Sequence, residues 1–127
     1  MAKVVVHEDL LVYQRAFTLA MELFEHTKGF PSHERYALTD QIRRSSRSVC
    51  ANLAEAWRKR RYRAAFLSKL TDVESELAET QTWIAFAHRC AYLSDAETQR
   101  LRVGYDGVAR TLANMVIHVD DWLLPSP

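Results

Sequence analysis

Apolar residues recur along most of this chain at alternating steps of three and four, and almost nothing interrupts them. Only three glycines and three prolines punctuate 127 residues. Apart from Gly104 and Gly107, they fall at the ends of the chain or between periodic segments. A helix returns a side chain to one face about every 3.6 residues, whereas a strand does so every second residue. The pattern therefore specifies amphipathic helices. In the first segment Leu10, Tyr13, Phe17, Ala20 and Phe24 share a face, and Gly29 and Pro31 stop it. In the second, Leu38, Ile42, Ser45, Val49, Asn52 and Ala56 are flanked by Leu53 and Trp57, a thin stripe rich in small residues that admits close helix approach.

The third segment is the longest: Phe66, Leu70, Val73, Leu77, Thr80, Ile84, Ala87 and Ala91. A second apolar edge, Trp83, Phe86 and Cys90, widens its face, so more than one neighbour must cover it. Ser94, Asp95, Ala96 and Glu97 then form a capping box, in which the serine oxygen and the glutamate carboxylate satisfy backbone N–H groups at a helix start. From there Leu101, Tyr105, Val108, Leu112, Met115, Val119 and Trp122 keep the spacing until Pro125. Four such helices with short connections predict an all-α fold, an antiparallel up-down-up-down four-helix bundle. The expected helices run over residues 8–28, 36–58, 63–92 and 95–123, within a single domain spanning 1–127.

The boundary between the second and third helices carries no glycine or proline. One continuous helix from Tyr36 to Tyr92 would be about 85 Å long at 1.5 Å per residue. A break within Arg58 to Arg63 is expected instead, because the run of charges there resists burial. A chain of 127 residues can close one core without a metal or disulfide. Cys50 and Cys90 lack any CxxC spacing and read as two buried thiols. The apolar run from Trp83 to Ala87 is far shorter than the roughly 20 residues a spanning helix needs. Met1 to His7 is too short and too weakly charged for a secretory signal, which makes the cytoplasm the expected location.

Charge is distributed unevenly. The net charge is +1 with a pI of about 7.8, yet Arg43 to Arg63 holds eight basic residues and one acidic residue, Glu55. That segment is +7, and the nine basic and fifteen acidic residues elsewhere leave the remainder at −6. At about 100° per residue, Arg43, Arg44, Arg47, Arg58 and Arg61 fall within roughly one 100° sector opposite Ile42 and Val49, provided the helix continues that far. Arginine pairs bidentately with phosphate and carboxylate alike. The sector, with Lys59 and Arg60, is therefore a candidate nucleic-acid surface contacting RNA or DNA phosphates. Alternatively it meets acidic groups such as Glu74, Glu76 and Glu79 of a neighbouring subunit, or it is a solvated face. The moderate pI weighs against a dedicated nucleic-acid binder. Beside this sector runs a polar stripe of Gln41, Arg44, Ser48, Asn52 and Glu55, suited to a subunit interface or to a network inside the bundle.

Catalytic patterns are missing. Di-iron bundles need Glu-x-x-His pairs on facing helices, and this chain has none; Glu22 and His26 lie one turn apart as a lone pair. His7, His33, His88 and His118 are scattered without ligand spacing, and neither a phosphate-binding glycine loop nor a G-x-S-x-G elbow occurs. The expectation is a non-enzymatic binding protein with no metal, no cofactor and no small-molecule substrate.

Residues 34–67 carry Glu34, Tyr36 and Leu38, then Gln41-Ile42-Arg43-Arg44, Ser48, Asn52-Leu53-Ala54-Glu55 and Phe66-Leu67. This pattern resembles the four-helix-bundle proteins named for reading frames within intervening sequences of bacterial 23S rRNA genes, and the similarity covers Leu10 to Trp122, nearly the whole chain. Two positions depart from the family pattern: its usual glycine after Asn-x-Ala-Glu is Ala56, and its Gly-Ser in the third helix falls near Asp72 and Val73. The resemblance implies a bacterial cytoplasmic protein that forms a ring-shaped homo-oligomer, a pentamer. It also implies kinship with basic, nucleic-acid-binding accessory proteins of diversity-generating retroelements, a likeness of fold and of the arginine-rich second helix.

Overall fold

Burial of the stripes accounts for where the helices lie. In a computed structural model, which describes residues 3–125, α1 spans Leu11–Thr27, α2 Leu38–Arg58, α3 Arg63–Arg89, α4 Asp95–Ile117 and α5 Val119–Trp122. Met1 and Ala2, which open the stretch judged too short and too weakly charged for a secretory signal, lie outside the described residues, as do Ser126 and Pro127 at the far end of the expected domain. Short 3-10 turns at His7–Asp9 and Ser32–Glu34 precede α1 and α2, and no strand occurs among the described residues. Each long helix packs on its neighbours in the chain, and α1 also packs on α4. The α2–α3 seam is the most extensive of these.

The core is built from α2, α3 and α4 as their stripes require. Ile42, Val49, Leu70, Val73, Ile84, Ala87, Leu101, Tyr105, Val108 and Leu112 are fully buried. Small residues in α2 place Ser45 against Thr80 of α3, whose hydroxyl donates to the Ser45 hydroxyl at 2.9 Å. Of the departures from the family pattern, Ala56 and Val73 point inward, at 2% and 0% exposed, so their side chains occupy core volume, whereas Asp72 is exposed.

Three expectations are corrected. In α1 the buried row is Val12, Ala16, Leu19 and Leu23, and Phe17 is 51% exposed. This helix carries two apolar rows, and the aliphatic one faces inward because α4 comes very close: a Cβ on Gly104 would lie 2.6 Å from Leu19 Cδ2. Bulky rings do not fit so narrow a seam; Tyr13 and Phe24 are half-buried, and Phe24 lies instead against Arg43 and Arg47 of α2. The third stripe ends before Ala91, which is exposed with φ at 61°. It terminates α3 by a Schellman pattern, Tyr92 N–H donating to Ala87 O at 2.8 Å and Ala91 N–H to His88 O at 2.9 Å. The fourth stripe is not one helix to residue 123: α4 stops at Ile117, and α5 restarts after His118 so that Val119 still reaches the core.

Between α2 and α3 the chain turns over residues 59–62. Lys59 N–H donates to Ala56 O at 3.0 Å and Tyr62 N–H to Lys59 O at 3.1 Å, so a tight turn forms here without glycine or proline. The capping box at Ser94 and Glu97 has both of its hydrogen bonds, at 3.0 and 2.9 Å.

Candidate functional site

The basic segment separates into inward and outward groups. Arg43 and Arg60 are held by the fold. Arg43 Nε donates to Thr27 Oγ1 at 2.7 Å, and its guanidinium lies 4.7 Å from the centre of the Phe24 ring. Arg60 Nε donates to the Trp57 carbonyl at 2.7 Å, and its guanidinium sits 3.3 Å from the Trp57 ring centre. Burial pulls the Arg60 guanidinium below its ordinary value, but a guanidinium stays charged in proteins.

Arg44, Arg47, Arg58, Lys59 and Arg61 are exposed, and none has an ion-pair partner among the described residues. Arg47 leans over Phe24, 5.6 Å from its ring centre. Arg44 turns the other way, close enough to Glu76 to favour its ionised form. Because α2 ends at Arg58, Arg61 joins this surface from the turn and not from the helix face. Arg44 and Arg58 are about 21 Å apart along the axis at 1.5 Å per residue. The result is a rod of cations on α2 that ends in a basic turn.

The polar stripe lies largely within the α2–α3 seam of a single chain. Asn52 Nδ2 donates to the Ser48 carbonyl at 2.9 Å, and Lys69 Nζ of α3 donates to Asn52 Oδ1 at 3.2 Å. Lys69 also pairs with Glu55, and with Asp72 at 3.5 Å. The Lys69 hydrogen bond holds the Glu55 carboxyl below its ordinary range, and Glu55 in turn raises the Lys69 ammonium. Gln41 lines a cleft with Glu34, Trp83, Phe86 and Cys90. Of the acidic cluster, Glu74 is exposed and Glu79 accepts a 3.4 Å hydrogen bond from Trp83 Nε1. Glu76 is half-buried, and desolvation, followed by repulsion from Glu79 and Asp72, raises its carboxyl.

The remaining candidates stay dispersed. Glu22 pairs with Arg100, while His26 meets Glu97 at 3.1 Å and His88 meets Asp95 at 2.6 Å. No group of three or more His, Cys, Asp or Glu suited to a metal occurs among the described residues. The reading of two buried thiols is corrected at Cys90, which is exposed at the C-terminal end of α3; Cys50 is buried, and burial pushes its thiol up to about 11. No helix of the described residues is long and apolar enough to cross a membrane.

The sequence reading missed the partners that sort the cations. Phe24 and Thr27 belong to α1, and Phe24 looked like core because it shares helical spacing with Tyr13 and Phe17. Lys69 carried a usable signal: a base three residues before Asp72, facing an Asn-x-x-Glu on the preceding helix. Tyr62, 67% exposed between Arg61 and Arg63, was legible only as part of a charge run.

No curated protein matches the chain. Among solved structures, it is similar to the crystal structure of a protein with unknown function from the S23 ribosomal protein family of Bacteroides thetaiotaomicron VPI-5482. The TM-score is 0.75 at 22% identity, covering 84% of this chain and 98% of that one. At that identity the likeness speaks to the fold alone. The family model described as 23S rRNA-intervening sequence protein matches residues 8–114, which takes in α1, α2, α3 and most of α4. A match of that extent, together with the shared fold, identifies the chain as a member of the 23S rRNA-intervening sequence protein family.

Proposed function

We propose that this protein is a non-enzymatic, cytoplasmic accessory protein that assembles as a homo-oligomer, a pentameric ring, and binds nucleic acid through α2 and the turn that follows it. Each protomer is read as one domain, an antiparallel up-down-up-down bundle. The cyclic packing of α1 on α2, α2 on α3, α3 on α4 and α4 on α1 supports that reading. The observation that carries the functional proposal is that five cations on α2 and the turn that follows it, Arg44, Arg47, Arg58, Lys59 and Arg61, are exposed and have no ion-pair partner among the described residues. Concentrating +7 in one segment of an otherwise acidic molecule costs self-repulsion, which an anionic partner relieves.

A second reading has a specific observation behind it. The carboxyl of Glu76 is pushed up by burial and by its acidic neighbours on α3, so a cation from another subunit would relieve that cluster. In that case the exposed arginines pair with Glu74, Glu76 and Glu79 of an adjacent protomer and the protein is a scaffold.

Gel retardation separates the two. If about five phosphates are neutralised, log affinity should fall with log salt at a slope of about −4.5 on duplex DNA, roughly 500-fold between 50 and 200 mM. Arg47→Glu with Arg58→Glu should abolish retardation while helical content stays unchanged; Arg43 is the wrong residue to reverse, since its bond to Thr27 ties α2 to α1. An absence of any shift at 50 mM salt, with the same double substitution dissociating the oligomer, decides for the scaffold.

A further inference from the structure

The turn between α2 and α3 is built more firmly than a surface charge run requires. Arg60 points inward: its guanidinium covers Trp57 and its Nε is bonded to the Trp57 carbonyl. Trp57 is 6% exposed and meets the Trp122 ring edge-on at 6.3 Å. The turn is also fastened to the C-terminal segment twice, by Leu124 N–H donating to the Arg60 carbonyl at 3.1 Å and by Arg63 pairing with Asp120 at 2.9 Å. With two of the six residues from Arg58 to Arg63 committed in this way, the other four, Arg58, Lys59, Arg61 and Tyr62, are exposed together. Tyr62 is 67% exposed. A large ring left in water beside three free cations has no packing reason to be there.

Resting on the nucleic-acid reading above, we infer that this turn is a pre-formed head for single-stranded RNA or DNA, in which Tyr62 is the platform for one base and Arg58, Lys59 and Arg61 contact the flanking phosphates. An unpaired base offers its flat face to an aromatic ring, whereas a base within a duplex has both faces occupied by its neighbours. Stacking on a ring is tolerant of base identity, so the head distinguishes single strands from duplexes and not one sequence from another. Anchoring through Trp57 and the C-terminal segment lowers the ordering cost of binding, as pre-organisation does in general. The rest of α2 then supplies length: Arg44 and Arg47 lie on the same helix that leads into the turn.

Position 62 offers a well-controlled test. Tyr62 is the residue that opens α3, with extended backbone and no side-chain hydrogen bond to the helix start. Serine is a preferred residue there and supplies that bond, so Tyr62→Ser removes the ring while supporting the helix. The full chain would be titrated with fluorescein-labelled U15, dT15 and a 15-base-pair duplex at 50 mM salt, with Tyr62→Ser and Tyr62→Phe as variants. Both single strands should bind more tightly than the duplex. Tyr62→Ser should lose about tenfold or more on the single strands and little on the duplex, and Tyr62→Phe should stay within about twofold. Equal affinity for single strand and duplex, or a Tyr62→Ser variant as tight as the parent, overturns the head and leaves the arginine surface standing. No binding of any probe overturns both, and retention instead on phosphatidylserine vesicles would reassign the basic turn to an anionic membrane surface.

Discussion

Ala91 shows what a single position contributes to the end of a helix. It holds φ at 61°, the left-handed region that costs a residue with a Cβ about 1–2 kcal/mol and costs glycine almost nothing. The 2.8 and 2.9 Å hydrogen bonds of Tyr92 and Ala91 to the last turn of α3 hold it there. Tyr92 is fixed in turn by donating its hydroxyl to Glu34 at 2.9 Å and by packing its ring 5.3 Å from that of Phe30. The hydrogen bond to Glu34 pushes the phenol up to about 12, which keeps it a donor at any ordinary pH. Since the surroundings fix the conformation, Ala91→Gly should raise unfolding free energy by about 1 kcal/mol in a denaturant titration. A variant less stable than the parent would mean that the alanine methyl is needed for packing.

At the scale of elements, the two glycines inside α4 separate helix propensity from helix contact. A Cβ on Gly107 would meet nothing within 4 Å, whereas one on Gly104 would fall 2.6 Å from Leu19 of α1. Gly107→Ala should therefore stabilise the protein by about 0.4–1 kcal/mol. Gly104→Ala should fall short of it by about 1–3 kcal/mol, because Leu19 must move out of a packed seam. Thermal melts of the two variants, compared with the parent, read this difference directly. The same seam explains where sequence reading succeeded and where it failed. For α3 and α4 one apolar row dominates, and Leu70, Val73, Leu77, Leu101, Tyr105 and Val108 could be assigned to the core from spacing alone. For α1 two rows compete, and the choice between Leu19 and Phe17 depends on a glycine 85 residues further along the chain. The capping box and the break after Arg58 were legible because local chemistry decides them. The division of the cations was not, since Arg43 is claimed by Thr27 and Arg60 by a backbone carbonyl, contacts that leave no periodic trace.

For the whole molecule, assembly is the property on which the proposed function depends. The proposed ring requires subunit contacts, and exposed apolar side chains such as Phe17, Met21, Phe86, Val103 and Ile117 are available for them. Sedimentation at micromolar concentration should give a mass several times the 14.7 kDa of one chain. If charge pairing between subunits holds the ring, it should also dissociate as salt rises, because exposed pairs are screened over about 10 Å at 0.1 M. If apolar contacts hold it, the mass should be unaffected by salt. The stacking of Arg60 on Trp57 has one last consequence, an optical one. Of the three tryptophans in the chain, two, Trp57 and Trp122, lie together beneath the basic turn, and the third, Trp83, lies on α3 beside Phe86. A cation 3.3 Å from an indole ring perturbs its emission, so any ligand that shifts Arg60 changes the light from Trp57. With Trp83 replaced by phenylalanine, the protein's own fluorescence becomes an indicator of whether a ligand at the turn displaces Arg60, with no dye attached.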